Sequence, residues 1–381
     1  MKTVLSFIDW YLPGYRAGGT LKAFANQVSH FNQDYRFKII TRDTDYMETV
    51  PYENVVSNQW NKIGDNIEVF YASADNINYG FLNKLVSETE FDSVYIHGIY
   101  SLWFSIMPIR WAKKFKAKKI VIAAHGMLGA HAFSVKSKKK KLFAGATKMM
   151  GFYNNVFFHA ANQAEAQDVR KAIGDSAKII VAEEMPMNMV LDEWKPRKKE
   201  AGLLTMATVA RIAPEKNTLY GLECLLHCAE GEITYNMYGP VYEEEYWKRC
   251  QEVIKSMPPN VTVNYMGSLP GDEVLGMLQN QHLMFLPTTG ENFGHTILES
   301  FMASTPVLIS DQTPWKDLDN RGIGWELPLK NKKVFAEKIM ALAQMKQTEF
   351  DNLSKNSLSF ANDFIHDETI KLQNDQLFNY E

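Results

Sequence analysis

The residues best suited to chemistry run Pro287-Thr288-Thr289-Gly290-Glu291-Asn292-Phe293-Gly294-His295-Thr296-Ile297-Leu298-Glu299. They leave a short apolar run, pass a glycine turn and enter a helical pattern. Amides in the first turn of a helix lack intrahelical partners and the macrodipole adds partial positive charge, so a phosphate fits there. Glu291 lies in the turn and Glu299 two helical turns later, which separates their backbones by about 12 Å. One carboxylate can then meet a sugar ring near a diphosphate while the other grips ribose hydroxyls farther along. The same spacing also suits a capping acid and an exposed helix glutamate.

A second constellation is Ala210-Arg211-Ile212-Ala213-Pro214-Glu215-Lys216-Asn217, directly after the apolar run Leu203–Val209. Arg offers a bidentate fork and Lys a point charge, a pair suited to a diphosphate, although solvated surface charge reads the same way. Pro13-Gly14-Tyr15-Arg16-Ala17-Gly18-Gly19-Thr20 follows the first strand candidate, and its paired glycines let backbone amides approach an anion. It is neither a Walker loop nor a Gly-x-Gly-x-x-Gly dinucleotide turn, and a plain turn is the alternative. Two His-Gly pairs, His97-Gly98 and His125-Gly126, also close strand candidates, and an imidazole there can move a proton or contact a hydroxyl.

Charge is distributed unevenly. The 381 residues carry 41 Lys and Arg against 44 Asp and Glu, a net charge of -3. Residues 1–190 hold 23 basic and 17 acidic side chains (+6), and the remainder 18 and 27 (-9). No acid occurs between Asp92 and Glu165, where Lys136, Lys138, Lys139, Lys140 and Lys141 stand near Phe143, Met149 and Phe152. Such a segment suits an anionic bilayer surface, or merely a solubilising helix. The acidic second half and the lack of a recognition motif argue against nucleic acid. Cys224, Cys228 and Cys250 are too few for a disulfide framework and point to a reducing compartment. Cys224, His227 and Cys228 read as a buried helix face rather than a metal site, which wants further ligands at set spacing. The opening MKTVLSFIDWYLPG is interrupted by Asp9 and too short in its apolar stretch for a signal peptide, and no run approaches the ~20 apolar residues of a spanning helix.

The elements that must position these residues alternate between β-type and helical runs, the pattern of α/β layers with parallel sheets. Strands are expected at Thr3–Ile8, Phe37–Thr41, Ile67–Tyr71, Ser93–His97 and Lys119–Ala124, with a first crossover helix at Ala17–His30 and another apolar run near Ala177–Val181. A second series comprises Leu203–Val209, Ile233–Tyr238, Val261–Tyr265, Leu283–Leu286 and Pro306–Ser310. Helices fit between them at Thr218–Ala229, Tyr242–Ser256, Asp272–Asn280 and Phe293–Ala303. Trp194–Gly202, with Pro196 amid Lys and Arg, reads as a linker. The expected organisation is a domain over 1–190, a linker over 191–201 and a domain over 202–361. Ligands should lie outside the carboxyl ends of the strands.

In this order the motifs resemble the retaining glycosyltransferases of the GT-B fold, in particular glycosyltransferase family four. The match rests on Glu-x7-Glu at Glu291 and Glu299, the Glu-x-Phe-Gly core, Arg211 with Lys216, Met266-Gly267-Ser268-Leu269, and the Pro306-Val307 strand. Ser304 and Asn292 stand where the family commonly has glycine, which bears on the backbone path around the sugar pocket. The resemblance implies two Rossmann-like domains facing an interdomain cleft, the first binding acceptor and the second the nucleotide sugar. It implies that Arg211 and Lys216 hold a UDP or GDP diphosphate with amides of Gly18, Gly19 and Phe293, Gly294, His295 and Thr296. Glu291 would contact the transferred sugar, Glu299 the ribose, His125 the donor sugar and incoming hydroxyl, and His97 the acceptor side. No metal or other cofactor is implied, and the segment Asn362–Tyr380, with 362–381 set apart as a terminal helix, would cross back to the first domain.

The expected activity is transfer of a sugar, with retention, to a lipid-linked or polysaccharide acceptor in cell-surface glycan assembly such as lipopolysaccharide, by a cytoplasmic protein on the inner face of the membrane. A sugar-nucleotide epimerase, a phosphorylase, and a silent sugar-nucleotide-binding subunit recruited to a membrane are the alternatives.

Overall fold

The structure, a computed structural model, describes residues 1–129, 151–189 and 192–380. It divides into two compact units, Met1–Asn188 with Asp367–Glu381, and Met189–His366.

Among the described residues the first unit is built on β1 (Lys2–Phe7), β2 (Tyr35–Arg42), β3 (Trp60–Gly64), β4 (Ile67–Ala72), β5 (Ser93–His97), β6 (Lys119–Ala123), β7 (Phe157–Ala160) and β8 (Lys178–Val181). They hydrogen-bond in the order β3-β4-β2-β1-β5-β6-β7-β8. Every pairing is parallel except β3 with β4, a hairpin added at the edge. The central strands read as continuous apolar runs because helices cover both faces, and β5 is buried along its whole length. Phe7, Phe104, Trp111 and Phe158 form the centre of one packed layer. On the opposite face the helix Glu368–Phe378 closes the unit: Phe378 packs on Phe31, Tyr35, Phe37 and Tyr95, and Asn374 Oδ1 accepts from Gln27 at 2.7 Å.

The second unit carries β9 (Leu203–Val209), β10 (Glu232–Tyr238), β11 (Val261–Gly267), β12 (Leu283–Leu286), β13 (Val307–Ser310) and β14 (Gly324–Leu327). Their order is β11-β10-β9-β12-β13-β14, all parallel. Strand order reverses between β9 and β12 here, as it does between β1 and β5 in the first sheet. Loops leaving the carboxyl ends of such neighbouring strands turn to opposite faces and open a crevice, where ligands of open α/β sheets settle.

Most strands fall where the apolar runs put them. The sequence reading passed over β3, β7 and β14: each is short, and β3 lies on the surface, so burial imprints little periodicity on it. Residues 194–201, read as a linker, carry no regular structure but are fastened to the second unit. Arg197 donates to the carbonyls of Gln279 and Gln281 at 3.1 and 2.7 Å, to Thr305 Oγ1 at 2.7 Å and to Ser354 Oγ at 3.1 Å. Lys199, also buried, donates to the Ala343 carbonyl at 2.8 Å. Among the described residues no helix is long and apolar enough to cross a membrane.

Candidate active site

At the strand-order reversal of the second sheet, the loop after β9 and the loop after β12 are stitched together. The Glu215 carbonyl accepts from the Thr289 amide at 3.0 Å and from the hydroxyls of Thr288 and Thr289 at 3.0 and 2.9 Å. Asn217, in the left-handed region at φ 58°, donates its side-chain amide to the Pro287 carbonyl at 3.0 Å. This fixes a short turn, Pro214–Lys216, that delivers Lys216 onto Glu291. The ammonium donates to Oε1 at 2.7 Å and Oε2 at 2.9 Å. The pair is only 20% and 10% exposed, so water screens it weakly.

Arg211 is held differently. The backbone of its loop is closely packed: just past β10, Gly239, at φ 145°, leaves no room for a Cβ against the Ala210 carbonyl. The Arg211 side chain is nevertheless 41% exposed and makes a loose ion pair with Glu215 at 3.2 Å. One cation is therefore seated on the expected carboxylate, and the other stands out in solvent.

Glu291 leads into the helix His295–Met302, capped by Gly294 at φ 88°, and no side chain caps that helix. Phe293 is buried against Trp315 and Phe364, which fixes where the helix begins. The amino end thus has the amides and dipole an anion requires. His295 and Glu299 are both buried on this helix. Ser304, where a glycine was noted as usual, has φ 56° and occupies the left-handed region that glycine enters without strain.

In the first unit the two His-Gly strand ends meet. His97 Nδ1 and His125 Nε2 are 3.0 Å apart and the rings stack at 5.3 Å. His97 is buried against Phe24 and Tyr95, and burial drives its pKa well below the ordinary histidine value, with His125 and His159 adding to the effect. His125 Nδ1 stands 3.7 Å from Glu184 Oε1. Glu165, also buried, accepts from the amides of Gly126 at 2.6 Å and Ala161 at 2.8 Å, tying the ends of β6 and β7. Gly18 caps the helix Gly19–Phe31 at φ 75° with open space where a Cβ would lie, and the amides of Tyr15 and Arg16 donate to Asp45 at 3.0 and 3.3 Å.

Sequence reasoning named Arg211, Lys216, Glu291, Glu299 and the Phe293–Thr296 turn, all in the second unit, and Gly18, Gly19, His97 and His125, all in the first. It missed Glu215, Thr288, Thr289 and Asn217, which set the geometry, and Glu165 and Glu184 around the histidines. The Arg211–Glu215 spacing of four residues was the one visible signal. Lys136, Lys138, Lys139, Lys140 and Lys141 lie outside the described residues. The three cysteines are free and buried, with the Cys228 thiol pushed up to about 12 by burial. No group of residues able to hold a metal occurs among the described residues.

Residues 192–358 match the family model described as Glycosyl transferases group 1. Anabaena Alr3699/HepE in complex with UDP and glucose is similar in structure at a TM-score of 0.67 and 14% identity, covering 99% of this chain and 98% of that one. The sucrose-phosphate synthase of Thermosynechococcus elongatus gives 0.65 and 14%, with 99% and 98% covered. WaaG, a glycosyltransferase involved in lipopolysaccharide biosynthesis, gives 0.66 and 12%, with 98% of each chain covered. None of the curated proteins matches the chain in sequence. The chain has the GT-B fold: two α/β units, each on a largely parallel sheet.

Proposed function

We propose that the protein is a metal-independent, retaining glycosyltransferase that moves a sugar from a UDP- or GDP-linked donor to an acceptor hydroxyl. The observation that carries this reading is the meeting of Lys216 and Glu291 at the strand-order reversal, beside the amino end of the helix His295–Met302. The family match over this unit and the UDP bound in the HepE structure support it.

In this mechanism the diphosphate lies at the amides of Gly294, His295 and Thr296. Lys216 has three donors and serves a phosphate oxygen while keeping Glu291, and Arg211 swings from Glu215 onto the diphosphate. Glu291, so oriented, accepts from the hydroxyls of the sugar, and Glu299 serves the ribose. As the bond from the anomeric carbon to the diphosphate breaks, the two cations stabilise the charge growing on the leaving oxygen. The acceptor oxygen bonds to the same face, and its proton passes to the departing diphosphate. In the first unit we assign His125 and His97 to the acceptor hydroxyl and the amides of Gly18 and Gly19 to an anion.

The acid-free stretch around Lys136–Lys141 supports a lipid-linked or polysaccharide acceptor, used on the cytoplasmic face of a membrane in surface glycan assembly. The test is a thermal-shift panel of nucleoside diphosphates and their sugars, followed by acceptor-dependent nucleotide release. Stabilisation by one nucleotide, lost in Lys216→Ala and Arg211→Ala, is expected. No donor bound, or no effect of either substitution, refutes the reading.

A further inference from the structure

The helix His295–Met302 begins on a turn that the loop after β13 holds by its backbone at two points. The Glu291 amide donates to the Gln312 carbonyl at 3.2 Å, and the indole Nε1 of Trp315 donates to the Phe293 carbonyl at 2.5 Å. The loop is itself tied to the end of β12: Ser310 Oγ donates to the Thr288 carbonyl at 2.5 Å and accepts from the Gln312 amide at 3.3 Å. Trp315 is 7% exposed, with its ring against Phe293, Phe301, Phe360 and Phe364.

Packing alone does not call for an indole in that place. Four phenyl rings would accept a fifth, whereas tryptophan brings a single N–H that must find an acceptor once buried. That donor goes to one carbonyl of the turn. A trans peptide points its C=O and the following N–H in opposite directions, so holding the Phe293 oxygen on the indole turns the Gly294 amide away from it. Among the described residues that amide has no hydrogen-bond acceptor. Glycine at 294 permits the arrangement: φ is 88°, and a Cβ would stand 2.9 Å from Ile297 Cδ1 and 3.4 Å from the indole nitrogen. In the transferase reading Glu291 meets the sugar and Glu299, farther down the helix, the ribose. The phosphate bonded to the sugar is then the one nearest Gly294.

We propose that Trp315 is a positioning residue for the donor: by holding the Phe293 carbonyl, its indole N–H aims the Gly294 amide at the phosphate that carries the sugar. The proposal rests on the transferase reading and adds a residue that acts through the turn.

Isothermal titration and saturation-transfer NMR, which registers weak binders, test it on the full chain with UMP, GMP, UDP and GDP. Trp315→Phe keeps an aromatic ring in the cluster and removes the N–H. Affinity for whichever diphosphate the wild type binds should fall about tenfold or more, the worth of one hydrogen bond to a charged group, while affinity for the matching monophosphate stays within about twofold. A role in packing alone would weaken both alike. Equal losses for monophosphate and diphosphate, or an unchanged diphosphate affinity, overturn the proposal. A wild type that binds none of the four nucleotides overturns the transferase reading instead. Should Trp315→Phe fail to fold, benzothienylalanine at position 315, which keeps the bicyclic ring and lacks the N–H, carries the same expectation.

Discussion

Lys216→Met removes an ammonium while keeping most of the side chain's length, and two separate quantities should respond. Glu291, only 10% exposed, loses its cation. Stripping one partner from a fully buried ion pair costs about 3–5 kcal/mol, and the solvent this pair retains brings that to about 1–3 kcal/mol. For a unit of this size each kcal/mol lowers the melting midpoint by roughly 2–4 °C, so a drop of about 2–12 °C is expected. Nucleoside diphosphate affinity should fall as well, because one charge-assisted contact is worth about 1.5–3 kcal/mol, or about 10–150-fold in Kd.

The double variant Lys216→Met, Glu291→Gln separates the two effects. With the carboxylate neutralised, the buried charge no longer needs a partner, and the midpoint should recover most of the loss while affinity stays low. Differential scanning calorimetry and isothermal titration with UDP and GDP read the two quantities. A double variant as unstable as Lys216→Met would show that Lys216 does not neutralise Glu291. Unchanged nucleotide affinity in Lys216→Met would remove Lys216 from the donor site.

Glu215→Gln should release Arg211 from its 3.2 Å pair and tighten nucleotide binding by up to about fivefold, the worth of an exposed ion pair; weaker binding by titration would sink the idea that Glu215 competes with the ligand. Arg197→Met should destabilise the second unit by at least about 3 kcal/mol in urea, since several carbonyls lose their donor together, while nucleotide affinity below the transition stays unchanged. Burial holds Arg197 down to about 10, far enough above neutrality for it to stay charged there. The pH dependence follows from His97 and His159, both depressed below 6.5 by burial. The unfolded chain takes up protons at 6.5 and the folded one only at lower pH, so their contribution is complete above 6.5 and is lost as pH falls below it. Each can add up to about 1.4 kcal/mol per pH unit to that slope. Urea midpoints measured from pH 7.5 to 5.5 should therefore fall more gently in His97→Asn, and an unchanged slope would mean that His97 titrates normally.

The parallel-sheet organisation was readable because buried central strands leave uninterrupted apolar runs, as in Phe37–Thr41 and Leu283–Leu286. β14 begins at Gly324, φ 155°, where a Cβ would press within 2.3 Å of the Val307 carbonyl; a strand starting on such a glycine looks like a turn until its neighbour is known. Asp9 shows a subtler failure. In the sequence it reads as a break in an apolar stretch, because Arg42 and Ser101, which donate to its Oδ1 at 3.2 and 3.0 Å, come from separate strand ends that only the fold brings together.

The cations of the second unit show why type and spacing take a site only so far. Arg197, Arg211 and Lys216 all sit within three residues of a proline, and composition treats them alike. The fold separates them by what surrounds each: Arg197 among backbone carbonyls, Lys216 on a carboxylate, Arg211 in solvent beside Glu215. A cation whose partners are backbone carbonyls and hydroxyls is already spent on the fold. One paired to a carboxylate at the crevice keeps donors to share, and one loosely paired in solvent can leave its partner for a better anion. Ligand-binding capacity therefore follows the partner rather than the residue type. By that criterion Lys216 and Arg211, and not Arg197, are the side chains that a diphosphate would recruit.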